Sequence, residues 1–261
     1  MARRNHTGED VARTAGPSVS VAKFDFVILG AGRGGTSLIA ALLDAHPDLE
    51  VAFERYAIEY LMGQALARTS DLGLNERIQR FISACNADAL RSGCAAWGNK
   101  ITTEQISGLN DPSGRENSSA DVVLSLLFGY YLRQKKLIFI LRDGRACVLS
   151  KVRRAGLSYE VACARWRYCV DCYRFLRRER RDALFLRFEE LLRAPEVTLS
   201  CVCDYLGVSF QQNMLEGVAN PKLRPEYRQD RVDTAKAAAA DLPPEYLKLI
   251  APELEYCGYP V

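Results

Sequence analysis

The sequence predicts an α/β fold of three layers, a central parallel sheet flanked by helices, on three observations. Lys23 to Leu29 (KFDFVIL) is short and β-rich, GAGRGGTS follows at once, and Leu38, Ile39, Leu42 and Leu43 then recur at helical spacing. Lys135 to Leu141 (KKLIFIL) is bounded by charge and continuously apolar within, as in a strand buried on both faces. Strands then alternate with helical patterns, an order that puts helices on both faces of a parallel sheet.

Each element has its own signal. Residues 1–21 are polar, carry Arg3, Arg4, Gly8, Gly16, Pro17 and Ser18 and lack periodicity, so they read as a disordered tail before a single domain over 22–261. His46-Pro47 stops the first helix, because a proline biases its predecessor away from the α region. Residues 55–98 read as a helical segment with a turn at Ser70 to Gly73, and Asp111 to Ser119 (DPSGRENSS) as a polar loop. Val122 to Leu132 is helix-like, Arg142 and Asp143 end the strand at 135–141, and helical patterns cover Arg145 to Arg154 and Tyr159 to Arg178. Ala183 to Phe188 (ALFLRF) reads as a strand, Glu196 to Leu206 as a helix closed by Gly207, and Pro244 to Tyr256 as a last amphipathic helix.

Composition narrows the function. With 48% hydrophobic and 26% charged residues over 261 positions, collagenous, coiled-coil and wholly disordered readings fall away. No apolar run approaches the roughly 18–20 residues that span a bilayer, and no stretch has the pattern of a signal peptide. The expectation is a cytoplasmic chain without a membrane span. A net charge of +3 falls short of a nucleic-acid footprint, so no nucleic-acid partner is expected. The 27 Arg against 8 Lys suit forked recognition of phosphate or sulfate, though a GC-rich genome explains the same bias. Nine cysteines and two histidines complete the set. Cys169-x-x-Cys172 and Cys201-x-Cys203 lie in helix-like or apolar stretches, which favours buried free thiols over a metal site.

The glycine loop, Gly30-Ala-Gly-Arg-Gly-Gly35-Thr36-Ser37, invites two comparisons. Gly30, Gly32 and Gly35 fit a dinucleotide fingerprint, with Glu54 near the spacing of its acidic companion. Gly30 and Gly35 fit a triphosphate-binding loop too, but Thr36 stands where its lysine must be. The cation is inside the loop as Arg33. Backbone N–H groups at a strand-to-helix loop cradle an anion, and the hydroxyls of Thr36 and Ser37 add donors. A tight turn without ligand is the plain alternative.

GAGRGGTSLIAALLDAHP resembles the 5′-phosphosulfate-binding loop and helix of sulfotransferases that use 3′-phosphoadenosine 5′-phosphosulfate (PAPS). Ile138 to Ser150 (IFILRDGRACVLS) resembles their 3′-phosphate-binding strand and helix, with Arg142 and Ser150 eight residues apart. The nearest branch is the tyrosylprotein sulfotransferase-like one. His46-Pro47, Glu54 in AFERYAIEYL, Lys100 in WGNKITTEQI, LRFEELL at 186–192 and the tail IAPELEYCGY all carry that similarity, in scattered blocks from about 24 to 256. Phe188 and Gly144 depart from the family's tyrosine and proline, which removes a hydroxyl and should loosen a loop.

The resemblance implies a sulfotransferase fold, PAPS as the sulfuryl donor and no metal. Arg33, Gly34, Gly35, Thr36 and Ser37 would hold the phosphosulfate, Arg142 and Ser150 the 3′-phosphate, with Lys222 and Arg224 closing over the donor. Arg145 is a further basic contact or a solvated helix residue. Glu54 would be the general base and Arg33 and Lys100 the charge-stabilising groups of an in-line displacement. His46 reads instead as part of the helix stop. The segment 55–98 would bind the acceptor, with Tyr56, Tyr60, Phe81 and Trp97 as aromatic walls or core. The acceptor is expected to be a small-molecule or glycan hydroxyl rather than a peptide tyrosine, and a homodimer is left open. A kinase or dehydrogenase on the same loop, and a donor-binding protein without chemistry, are the competing readings.

Overall fold

Five short, largely buried strands build one sheet. β1 (Phe24–Gly30), β2 (Leu49–Phe53), β3 (Ala96–Lys100), β4 (Lys136–Leu141) and β5 (Leu184–Arg187) lie in the order β2-β3-β1-β4-β5. Every neighbouring pair is parallel, with Val27 opposite Asn99 on one side and Leu137 on the other. This is a computed structural model, and it describes residues 24–63, 72–109, 120–237 and 240–261. The expected tail at 1–21 and the polar loop at 111–119 lie outside the described residues.

Because side chains alternate along a strand, the sheet feeds two cores. Val27, Leu29, Leu137, Phe139 and Leu141 face one side, where α2 (Leu74–Ala89), α3 (Thr103–Ser107), α4 (Ala120–Leu124), α5 (Gly144–Ala155), α6 (Tyr159–Glu179), α9 (Pro244–Leu247) and α10 (Ala251–Tyr256) supply their partners. Phe26, Ile28, Ile138 and Ile140 face the other, under α1 (Thr36–Asp44), α7 (Phe188–Arg193), α8 (Pro195–Leu206) and the 3-10 turns of Gln212–Ala219. The three-layer α/β fold expected from the sequence is the one observed.

Local signals set the helix limits. Asp143 accepts from the N–H of Arg145 at the start of α5, and Gly156 ends that helix in the left-handed region at φ 64°. Ser158 caps α6 through Val161, and Gly207 closes α8 at φ 84°. Two readings change. The last helix is two, because Pro252 starts a new one after the break at Ile250. The helical segment over 55–98 holds a π-helical turn at Ala57–Leu61 and α2, but its end is β3, inserted between β2 and β1. AWGNK has little strand character, and tertiary packing decides it: a Cβ on Gly98 would lie 2.2 Å from the Phe26 ring.

Phe81 and Trp97 are buried core, both edge-on to Phe24, whereas Tyr56 and Tyr60 are half-buried at its border. His46 is structural: its Nδ1 accepts from the N–H of Asp48 at 3.0 Å and its Nε2 meets the Ser209 carbonyl at 2.8 Å. All nine cysteines are free, and seven are buried. Burial pushes the Cys85 thiol up to about 12 and those of Cys147, Cys163, Cys203 and Cys257 to about 11. An aromatic disulfide reagent at pH 8 is therefore expected to modify Cys201 and Cys94 in the native chain and the other seven only after unfolding, since the thiolate is the reactive form. Peptide mapping of the modified chain would check this, and early labelling of Cys169 or Cys172 would contradict it.

Candidate functional site

In a wholly parallel sheet all strands deliver their C-terminal residues to one edge, and the residue types that carry chemistry stand there. β1 ends at the glycine loop, β2 at Glu54, β3 at Lys100, β4 at Arg142 and β5 at Arg187. Sequence positions far apart thus meet at one rim.

The glycine loop is shaped by a close approach and an unusual backbone. A Cβ on Gly30 would meet the Ile140 carbonyl at 2.4 Å, so only glycine lets the loop leave the sheet here. Arg33 adopts φ 68° and Gly35 φ 95°, and the Gly34 N–H closes a turn on the Ala31 carbonyl at 2.8 Å. The first N–H groups of α1, those of Thr36 and Ser37, then have no partner within the helix and point the dipole at the loop. A methyl at Gly35 would lie 2.1 Å from the Phe188 ring on top of the left-handed φ. Gly35→Ala is expected to cost about 2–4 kcal/mol, read as a lower urea midpoint.

Two chambers share this loop. The first, about 220 Å³, is lined by Arg33, Thr36, Arg142, Ser150, Phe188 and Tyr227, among others. Arg142 stacks on Phe188 at 4.4 Å, its Nη1 donates to the Arg33 carbonyl at 3.0 Å, and its buried Nε has no partner among the described residues. Arg33 donates through Nε to the Ser150 hydroxyl at 3.1 Å and through Nη1 to Tyr227 at 2.6 Å, with the Tyr227 ring under its guanidinium. Arg145 is paired with Asp143 outside this lining. Gly144 does not leave the loop slack, because the Trp166 indole fills the space a Cβ would take and donates to the Arg142 carbonyl at 3.2 Å.

The second chamber, about 360 Å³, adds Phe53, Glu54, Lys100, Thr102, Lys222 and Arg224 to Arg33, Thr36, Ser37 and Tyr227. Glu54 sits at φ 58° and Tyr56 at φ 62°, so with Arg33 the positive-φ residues other than glycine among the described residues all lie at or beside the site. Such conformations cost about 1–3 kcal/mol each and persist where the surroundings over-determine them. Lys100, 2% exposed, pairs through its ammonium with Glu54 Oε1. Gln105 Nε2 donates to Oε2 at 2.7 Å while its own Oε1 accepts from the Thr102 N–H. Burial draws the Lys100 ammonium below the usual lysine range, against the charge and hydrogen bond of Glu54 that hold it up.

The structure brings Arg33, Gly35, Thr36, Ser37, Arg142 and Ser150 together in one chamber, and Glu54, Lys100, Lys222 and Arg224 in its neighbour. Gly34 stays in the loop turn. Lys222 is anchored away from the loop, donating to Asp44 at 2.7 Å and to the Val51 carbonyl at 3.1 Å. Sequence reasoning missed Gln105, Arg154, Tyr227 and Lys236. Only Gln105 had a local signal, the capping pair Thr102-x-x-Gln105. The other three reach the site by tertiary contact.

No family model matches the chain. It is similar to protein-tyrosine sulfotransferase 2 of Gallus gallus, 26% identical over 212 residues, which cover 71% of this chain and 52% of that protein. A protein-tyrosine sulfotransferase of Drosophila melanogaster is 24% identical over 202 residues, covering 71% and 38%. The chain thus spans about half, or less, of the curated relatives it matches. Among solved structures, the sulfotransferase domain of the Synechococcus PCC 7002 olefin synthase aligns with a TM-score of 0.63 and 21% identity, over 94% of this chain and 98% of that one.

Proposed function

From its similarity to those relatives and the fold it shares with that domain, we propose that the chain is a sulfotransferase that moves the sulfuryl group of PAPS to an acceptor hydroxyl by in-line displacement. The observation that carries this is the meeting of two chambers at one glycine loop, with Arg142 and Ser150 on one side and Glu54 and Lys100 on the other. The loop N–H groups, Thr36, Ser37 and Arg33 take the phosphosulfate, and Arg142 and Ser150 take the 3′-phosphate. An S–O bond forms to the acceptor oxygen as the bond to the phosphate oxygen breaks. The hydroxyl proton goes to Glu54, and the electron pair leaves on the phosphate, where Arg33 and Lys100 hold the charge.

Both oxygens of Glu54 are engaged in the structure. Lys100 must therefore exchange Glu54 for the donor before the carboxylate can accept a proton, while Gln105 keeps it aimed. Arg224 lines the same chamber and adds positive charge opposite Lys100.

The acceptor we propose is a small-molecule or glycan hydroxyl, met in the cytoplasm. Nine free thiols, seven of them buried without a disulfide, suit a reducing compartment. A peptide tyrosine is the second reading, favoured by the names of the two relatives. The described residues contain no helix long and apolar enough to cross a membrane.

Thermal unfolding with adenosine 3′,5′-bisphosphate, ATP or NAD tests the donor, since a ligand of the folded state raises the midpoint. Stabilisation by the bisphosphate above the other two is expected. A larger shift with ATP or NAD would move the chain to nucleotide chemistry of another kind.

A further inference from the structure

Beneath the glycine loop, outside the lining of both chambers, lies a second ion pair that the transfer chemistry does not use. Glu104, second residue of α3, accepts from the Gly32 N–H at 2.8 Å. Lys151, the residue after Ser150 on α5, donates to the Gly32 carbonyl at 2.6 Å and pairs with the same carboxylate. Lys151 is 3% exposed. Burial pushes the Glu104 carboxyl up, but the Lys151 charge, its hydrogen bond and the Gly32 N–H outweigh it and hold the carboxyl below the usual glutamate range.

Two buried charges are a costly way to fill a core, and apolar side chains of similar size are often as stable in their place. What this pair does that apolar residues cannot is to take the N–H and the carbonyl of one glycine at once. Gly32 immediately precedes Arg33, whose left-handed φ aims the loop. A triphosphate-binding loop places its lysine after the last glycine, where this chain has Thr36. Here a lysine comes instead from α5 and grips the loop from below.

We propose that Glu104 and Lys151 are positioning residues that lock the Gly32 peptide and so hold the loop in its anion-binding shape. The role rests on the donor reading above. Its signature is selective: the pair touches the loop at Gly32 and neither Arg142 nor Ser150, so it acts first on the 5′-phosphate end of the donor.

Two ligands separate these ends. Adenosine 3′,5′-bisphosphate carries both phosphates and adenosine 3′-monophosphate only the one at Arg142, so the ratio of their dissociation constants by calorimetry measures what the loop contributes. In Glu104→Leu/Lys151→Met, whose apolar pair keeps the core filled, the ratio is expected to fall about tenfold, the worth of one or two backbone-held hydrogen bonds, with the monophosphate affinity unchanged. Glu104→Gln, nearly isosteric, is expected to lose about threefold of it and serves if the double variant fails to fold. An unchanged ratio, or a parallel loss of both ligands, would overturn the role. A wild-type chain that binds both ligands equally, or neither, would instead sink the donor reading and take this proposal with it.

Discussion

Arg142→Ala is expected to weaken adenosine 3′,5′-bisphosphate by about 100-fold or more, the scale of a lost charge-assisted fork inside a partly closed chamber. Arg142 directly follows the last residue of β4, stacked on Phe188 and tied to the Arg33 carbonyl, and its Nε is buried without a partner among the described residues. An unpaired guanidinium nitrogen in a core is expensive, and a phosphate oxygen would satisfy it. The arginine also braces the loop from the far side, so alanine removes a ligand contact and a support together. Arg142→Lys keeps the charge without the fork and should recover only part of the loss. Calorimetry on the folded variants reads both. An affinity within threefold of wild type for Arg142→Ala would place the 3′-phosphate elsewhere.

The second large effect is expected at Glu54 and Lys100, on turnover. Glu54→Gln retains the size and the bond from Gln105 but cannot take a proton, and the rate should drop about 10²- to 10⁴-fold. Lys100→Ala should cost about 10²- to 10³-fold by removing one charge from the leaving phosphate. Glu54→Gln should keep the bisphosphate affinity near wild type, because its side chain lines the neighbouring chamber, whereas Lys100→Ala should also weaken the bisphosphate, whose 5′-phosphate is the leaving group. Release of bisphosphate from PAPS, followed against a panel of phenols and sugars, checks this. Wild type that binds the bisphosphate but turns over nothing in that panel would favour a donor-binding protein without chemistry. Turnover undiminished in Glu54→Gln would remove the carboxylate from the base role.

Much of this site was legible because the decisive pieces are local. A glycine loop after an apolar run, and an arginine at a strand end with a serine two turns into the next helix, are patterns a single stretch of chain displays. Lys100 stood out only by resemblance and Glu54 also by its spacing from the glycine loop, yet the sheet brings them into one ion pair. β3 escaped notice because five residues with a glycine, an asparagine and a lysine carry no strand signal; their conformation follows from the gap between β2 and β1. Lys222 looked like a donor contact from its place in NPKLRPEYR, but its ammonium is held by Asp44 and the β2 backbone. Tyr227 and Lys151 were illegible for a simpler reason, since each depends on a contact with the loop from more than a hundred residues along the chain.

The position of β1 in the middle of the sheet sets the order in which the chain can assemble. The first strand of the described chain pairs with none of its sequence neighbours: its partners are Trp97 to Lys100 on one side and Lys136 to Ile140 on the other. Closing those long loops carries its entropy cost before any ladder repays it, which makes folding slow relative to a local meander. The glycine loop hangs from β1 and is pinned by residues beyond β3 and β4. A growing chain therefore has no anion site until α5 has emerged, and donor binding reports completed folding rather than a preformed fragment.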